Sequence, residues 1–159
     1  MTIKVFISHQ QADSSRATLI AQRLRSLHQM DSYLDVIDPV IGKSGEALAE
    51  YVRMQMTKCT QLLAVVSAAT KTSWWVPWEI GMATEKDFPL ATYGGDTQLP
   101  EYLQKWPVLR NETDLDSYAA ASKAAERQFD TKRVLAEATV AQRSATQEFY
   151  RVLRGRLGQ

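Results

Sequence analysis

The sequence predicts an α/β protein in which a parallel sheet is covered by helices on both faces. Three observations lead there. Short apolar runs alternate with longer amphipathic segments along most of the chain. The gaps between runs leave room for a helix in each connection, as parallel neighbours require. The most apolar run, Leu62-Leu63-Ala64-Val65-Val66, shows no polar alternation, the mark of a strand buried on both faces. Five strands in a flavodoxin-like order, forming a three-layer sandwich with a C-terminal helical extension, is the expected architecture.

Each element has its own signal. Ile3 to Ile7 is a β-rich run that stops at Ser8-His9. Asp13 offers an N-cap to a helix with Leu19, Ile20, Leu24 and Leu27 at turn spacing. Tyr33 to Ile37 reads as the second strand, and Asp38 to Gly45 as a loop by composition. Glu46 to Lys58 follows as a helix, with Leu48, Tyr51, Val52 and Met56 facing inward. After the central strand come a loop from Ser67 to Ser73, a helix to about Lys86 and a strand near Phe88 to Tyr93. A Gly94-Gly95 turn, a helical turn around Pro100 to Gln104 and a strand-like Trp106 to Leu109 follow. From Asp114 to about Leu153 the chain is helical in composition, with Ala119, Ala120, Ala121, Ala124 and Ala125 suited to close packing and a break expected near Asp130-Thr131. The expected division is a core over 1–112 and a helical segment over 113–159 packed on or extending the same domain.

Composition narrows the function. The chain has 159 residues, one domain on a prior of about 150 per domain. Nineteen Lys and Arg against eighteen Asp and Glu leave a net charge of +1, so no whole-molecule field favours nucleic acid or an anionic membrane. The one cysteine, Cys59, cannot form an internal disulfide, and no His/Cys/Asp arrangement has metal-ligand spacing. No apolar run approaches the ~20 residues of a membrane span, and the N-terminus lacks a signal-peptide layout. A cytoplasmic location is the expectation.

Candidate chemistry concentrates in Ser73-Trp74-Trp75-Val76-Pro77-Trp78-Glu79, which holds three of the four tryptophans. Ser73 suits an N-cap, and Pro77 fits only within the first turn of the helix. Glu79, four residues beyond Trp75, projects from the same helix face. An indole beside a carboxylate can hold a flat cationic ring and stabilise positive charge as it develops. From spacing alone, tryptophans packed in a core or an interface, with Glu79 as a solvated first-turn acid, is the commoner arrangement. In open parallel sheets ligands bind beyond the carboxyl ends of the strands. That rule gathers Ser8 and His9, the Asp35 to Gly45 stretch, and Ser67 to Glu79. Ser8 and His9 suit a ribose or phosphate, or else simply tie the strand end to the next helix. The 38–45 loop, with Asp38, Gly42 and Lys43, runs into a helix N-terminus, where backbone N–H groups receive phosphate. Its spacing is not that of a P-loop. Lys71 could neutralise a diphosphate, although a solvated surface lysine is the commoner arrangement. Tyr33 and Asp35 are weaker candidates, and His28 reads as a surface residue. A Ser-His-Asp hydrolase has no Gly-x-Ser-x-Gly elbow to build on.

Four pieces of the sequence resemble the Toll/interleukin-1 receptor (TIR) domain family, in particular its prokaryotic NAD-consuming branch and the Thoeris-like anti-phage defence proteins within it. Lys4-Val5-Phe6-Ile7-Ser8-His9 is similar to the family's first-strand box. Asp38 to Gly45, leading into Glu46-Ala47-Leu48, sits where the loop after its second strand lies. Leu63-Ala64-Val65-Val66-Ser67 resembles its central strand, and Ser73-x-Trp75-x-x-x-Glu79 matches its Ser-x-Trp-x-x-x-Glu signature. The resemblance implies NAD+ cleavage with Glu79 as the catalytic glutamate. The implied substrate contacts are Ser8, His9, Asp38, Gly42, Lys43, Ser67, Ser73 and Trp75. No prosthetic group or metal is implied, since NAD+ is the substrate. His9 would take a proton if the product is cyclised. The implied partners are further copies of the chain, through the 38–45 loop, and a separate effector protein that senses the nucleotide product, with neither nucleic acid nor membrane. Trp75 is then the residue expected in the ligand cleft, and Trp74 and Trp78 in packing or an interface. The alternative is a non-catalytic TIR scaffold acting by self-association. A receiver-like phosphoacceptor would need an acidic pair where this chain has Ser8-His9.

Overall fold

A computed structural model of the chain describes residues 2–34 and 45–159. Five parallel strands form one sheet: β1 (Lys4–Ser8), β2 (Asp31–Leu34), β3 (Gln61–Val65), β4 (Leu90–Tyr93) and β5 (Val108–Leu109), in the order β2-β1-β3-β4-β5. The helices are α1 (Ser14–His28), α2 (Gly45–Thr57), α3 (Trp75–Glu85), α4 (Glu112–Lys132) and α5 (Ala138–Leu157). This is the flavodoxin-like parallel sandwich the sequence predicts, with two helices after the last strand. The strand order reverses between β1 and β3, and there the two following connections leave on opposite sides and open a crevice at the carboxyl edge.

The pleat divides the apolar side chains between two cores, because successive residues of a strand point to opposite faces. Val5 and Ile7 of β1 and Leu63 and Val65 of β3 join one cluster with α1, α4 and α5. Phe6, Leu62 and Ala64 join the other, with Val52 and Met56 of α2 and Val76, Ile80 and Ala83 of α3. All five residues of β3 are buried, as its unbroken apolar pattern demands.

The first core is closed by the α4–α5 pair. Ala119, Ala121, Ala125, Ala141 and Ala145 are buried there, and their short side chains let the two backbones approach. Tyr118 of α4 meets Phe149 of α5 edge-on, with centroids 5.6 Å apart. Gln61, at the start of β3, donates from one amide nitrogen to the Tyr118 hydroxyl and the Ser122 hydroxyl, both at 2.6 Å. All three side chains are buried, so this bonding removes what would otherwise be a desolvation cost. Beyond α5, the Gln159 amide accepts from the Val108 N–H at 2.9 Å and donates to the Val108 carbonyl at 2.8 Å, on the outer side of β5.

Several expectations change. The second strand begins at Asp31, two residues before the apolar Tyr33, since its pairing with β1 starts at Lys4. The remainder of the expected strand, Asp35 to Ile37, lies outside the described residues. The buried stripe of α1 is Ala17, Ile20 and Leu24, whereas Leu19 and Leu27 are exposed. They share the turn spacing, but the buried stripe is only one residue wide at each turn. Asp13 precedes α1 without capping it; its carboxylate accepts the Ser67 hydroxyl at 2.7 Å instead. Leu48 and Tyr51 are half-buried, leaving Val52 and Met56 as the anchors of α2. The C-terminal helices part at 133–137, a few residues later than expected, where the Leu135 and Ala136 N–H groups both turn back to the Lys132 carbonyl. His28 is half-buried, with Nε2 2.7 Å from Asp116 of α4. Asp116 also accepts from Arg23 at 2.9 and 3.2 Å, which joins α1 to α4.

Candidate functional site

Ser8 is the last residue of β1 and follows Phe6 on the face covered by α2 and α3, so the pleat aims its hydroxyl at the underside of α3. On α3 the buried positions are Val76, Glu79, Ile80 and Ala83. The first, third and fourth seat the helix on β3 and β4, and Glu79 lies on the edge of that stripe, toward β1. There the Ser8 hydroxyl donates to Glu79 Oε2. Both residues are fully buried. The contact bridges 71 residues of sequence at the point where strand order reverses, and it joins two residues of the candidate set.

The start of α3 explains how Glu79 is held. Ser73 Oγ accepts the Val76 N–H at 3.1 Å, the bond an N-cap serine makes. Pro77 is the third residue of the helix, within the first turn, where an N–H has no partner to lose. Glu79 therefore sits little more than one turn from the helix N-terminus, whose dipole favours a negative charge. The Trp75 and Trp78 rings pack edge-to-face with centroids 5.3 Å apart. Each keeps over a third of its surface exposed, whereas Trp74 is 91% exposed. Trp74 thus has no packing role within the described residues.

The remaining candidates divide. His9 is buried, and its Nδ1 donates to the Ile7 carbonyl at 2.9 Å, which fixes that nitrogen as the protonated one in the neutral ring. Ser67 donates to Asp13, accepts from the Ala69 N–H at 3.2 Å, and shares reciprocal capping with Thr70. Its hydroxyl is committed to holding the turn Ala68–Thr72. Tyr33 stacks at a tilt on Phe6 with centroids 5.2 Å apart and belongs to the packing of β2 on β1. Asp35, Asp38, Gly42 and Lys43 lie outside the described residues. The thiol of Cys59 is buried and pushed up to about 12 by desolvation, which leaves it protonated and unreactive at neutral pH. Among the described residues no three His, Cys, Asp or Glu side chains gather to hold a metal. No helix among them is long and apolar enough to cross a membrane.

Sequence reasoning did not single out the loop after β4. Gly94 and Gly95 turn the chain there, with Gly95 at φ +51°, and the Arg110 guanidinium donates to the Gly95 and Thr97 carbonyls at 2.7 and 3.1 Å. The loop so fixed forms one wall of a cavity of about 330 Å³, whose other wall is the Ser67–Pro77 stretch. The carboxyl-edge rule applies to β4 as it does to β1 and β3, and it is the signal that points to this loop.

An open parallel sheet with a carboxylate and a hydroxyl joined across its switch point defines an α/β protein with its candidate site at the carboxyl edge beside β1 and β3. A family model described as TIR domain matches residues 5–131, from β1 to the end of α4. The chain belongs to the TIR domain family. No curated protein matches it.

Proposed function

We propose that this TIR domain cleaves the bond between nicotinamide and ribose in NAD+, with Glu79 as the catalytic carboxylate. The observation that carries the reading is the buried Ser8–Glu79 hydrogen bond at the switch point, in a chain with the Ser73-x-Trp75-x-x-x-Glu79 pattern. Nicotinamide is bound to C1′ as a pyridinium. When the C1′–N bond breaks, its electron pair returns to the ring nitrogen, and nicotinamide leaves neutral without needing a proton. The positive charge moves to C1′ and the ring oxygen of the ribose. A carboxylate held in a dry, pre-set position is worth most at that moment. Ser8 orients the carboxylate through one oxygen, and the half-exposed Trp75 supplies an aromatic wall for the nicotinamide. The C1′ cation is then captured by water, by a nucleophile of the same molecule, or by another acceptor. Because Glu79 is fully covered, substrate reaches it only when the covering side chains part.

In this reading the product is an ADP-ribose-derived signal in bacterial anti-phage defence, made in the cytoplasm by an oligomer of the chain and sensed by a separate effector. The full burial of Glu79 and the exposure of Trp74 favour a second reading, a scaffold that acts by self-association alone. One experiment separates them. Purified protein is incubated with NAD+, alone and with lysate of phage-infected cells, beside Glu79→Gln. Nicotinamide release by the wild type, reduced at least ~10²-fold in the variant, is the expected result. Equal release by both removes Glu79 from catalysis, and silence of the wild type under every condition leaves the scaffold.

A further inference from the structure

The 330 Å³ cavity lies on the flank of α3 away from Ser8, between the turn Ala68–Thr72 and the loop that follows β4. Its size falls at the lower end of the ~300–1,000 Å³ range of small-molecule sites. We propose that it is a second ligand site, which binds a nucleoside monophosphate by stacking the base on Tyr102 and pairing the phosphate with Lys71.

The lining selects the class. Val66, Leu103 and the Tyr102 ring supply apolar surface, which suits a flat ring. A hydrocarbon ring would leave the polar groups unmatched: Thr97 and Gln98 line one wall, and Ser73 lines the other. The Gln98 amide offers both donors and an acceptor, as the edge of a heterocyclic base requires. Ser73 Oγ already accepts the Val76 N–H, so its own proton is directed outward to an acceptor. Lys71 is the one formally charged residue in the lining, and it makes no ion pair among the described residues. One cation and room for one ring match a single phosphate and a single base, not a dinucleotide.

A second observation stands at the rim. An open recess beside the cavity shares Lys71, Ser73 and Pro77 with it and includes Trp74. That indole is 91% exposed, and leaving so large an apolar surface in water is unfavourable by ~25 cal/mol per Å². A ribose phosphate leaving the cavity past Lys71 covers it.

This site goes beyond the NAD+ reading and does not depend on it. Its occupant contacts Ser73 and so bears on the start of the helix that carries Glu79.

Calorimetric titration of the purified chain with adenosine 5′-monophosphate, adenosine and inorganic phosphate tests the assignment. The expected result is saturable binding of the monophosphate, about tenfold tighter than adenosine because of the charged contact. Tyr102→Ala weakens it about tenfold through lost stacking, and Lys71→Ala reduces it to the level of adenosine. Glu79→Gln binds as the wild type does, so the outcome is independent of catalysis. Both substituted side chains of the cavity are exposed, and circular dichroism checks that the variants keep the fold. Three results overturn the proposal: no saturable binding at millimolar concentration, wild-type affinity in Lys71→Ala or in Tyr102→Ala, or affinity lost in Trp75→Ala while those two retain it. The last would put the nucleotide in the Glu79 site.

Discussion

The two faces of the central sheet use the same strands for different ends. On the α1–α4–α5 face, the core cluster is apolar apart from the closed trio of Gln61, Tyr118 and Ser122, with the buried His9 at the end of β1. Two long helices with small facing residues seal it. On the α2–α3 face the core is smaller, and it encloses a serine and a carboxylate at the carboxyl edge. That face also carries the three tryptophans left partly or wholly in solvent. The sealed face holds the fold, which lets the other tolerate buried polar chemistry near its edge. A carboxylate placed among Tyr118 and Phe149 would have to be neutralised; beside Ser8 and the first turn of α3 it has a donor and a favourable dipole.

The division can be broken in graded steps. The largest effect belongs to Phe149→Ala, which empties a fully buried ring site between α4, α5 and the sheet. It is expected to cost ~3–5 kcal/mol by urea unfolding, with the proposed nicotinamide release per folded molecule unchanged. A comparable loss of stability in Glu79→Gln would show that the α2–α3 face is also a main support, and the division would fail. Next comes Gln61→Leu, which strips the shared donor from Tyr118 and Ser122; ~1–3 kcal/mol is expected, again with no change in release. The smallest effect concerns Asp116, whose carboxyl is held below its ordinary value by the Arg23 hydrogen bond first and by His28 second. A carboxyl depressed in the folded state stabilises above its unfolded value, near 3.8, and that contribution fades as pH falls through the folded value. Asp116→Asn should therefore flatten the acid limb of stability below about pH 4. Since both partners are only half-buried and reached by solvent, less than ~1 kcal/mol is involved. An unchanged acid limb would remove this cluster from the first face's supports.

The parts of the molecule legible in the sequence are those decided by local pattern. β3 announces itself because both of its faces are covered, and α3 because a serine cap and a proline mark its start. The pairing of Glu79 with the edge of β1 was half legible: the carboxyl-edge rule brings the two segments together, but only the pleat decides that Ser8 and not His9 faces α3. Other features depend on partners far along the chain. Ser67 claims Asp13 across 54 residues, and His28 meets Asp116 across 88. Nothing in the neighbourhood of Asp13 says that its carboxylate leaves its own helix uncapped to receive a distant hydroxyl. The cavity beside Tyr102 is of the same kind, since its two walls are loops whose approach is set by Arg110 holding the turn after β4.

The Gln159 amide, lying along β5 and bonded to both backbone groups of Val108, has a bearing on assembly. It gives that rim of the sheet a false neighbour, so a visiting strand finds its template already taken. A strand adding at that rim would first have to displace the Gln159 amide from Val108. That cost favours contacts of side chains against side chains there, which can be specific and reversible where strand addition would spread.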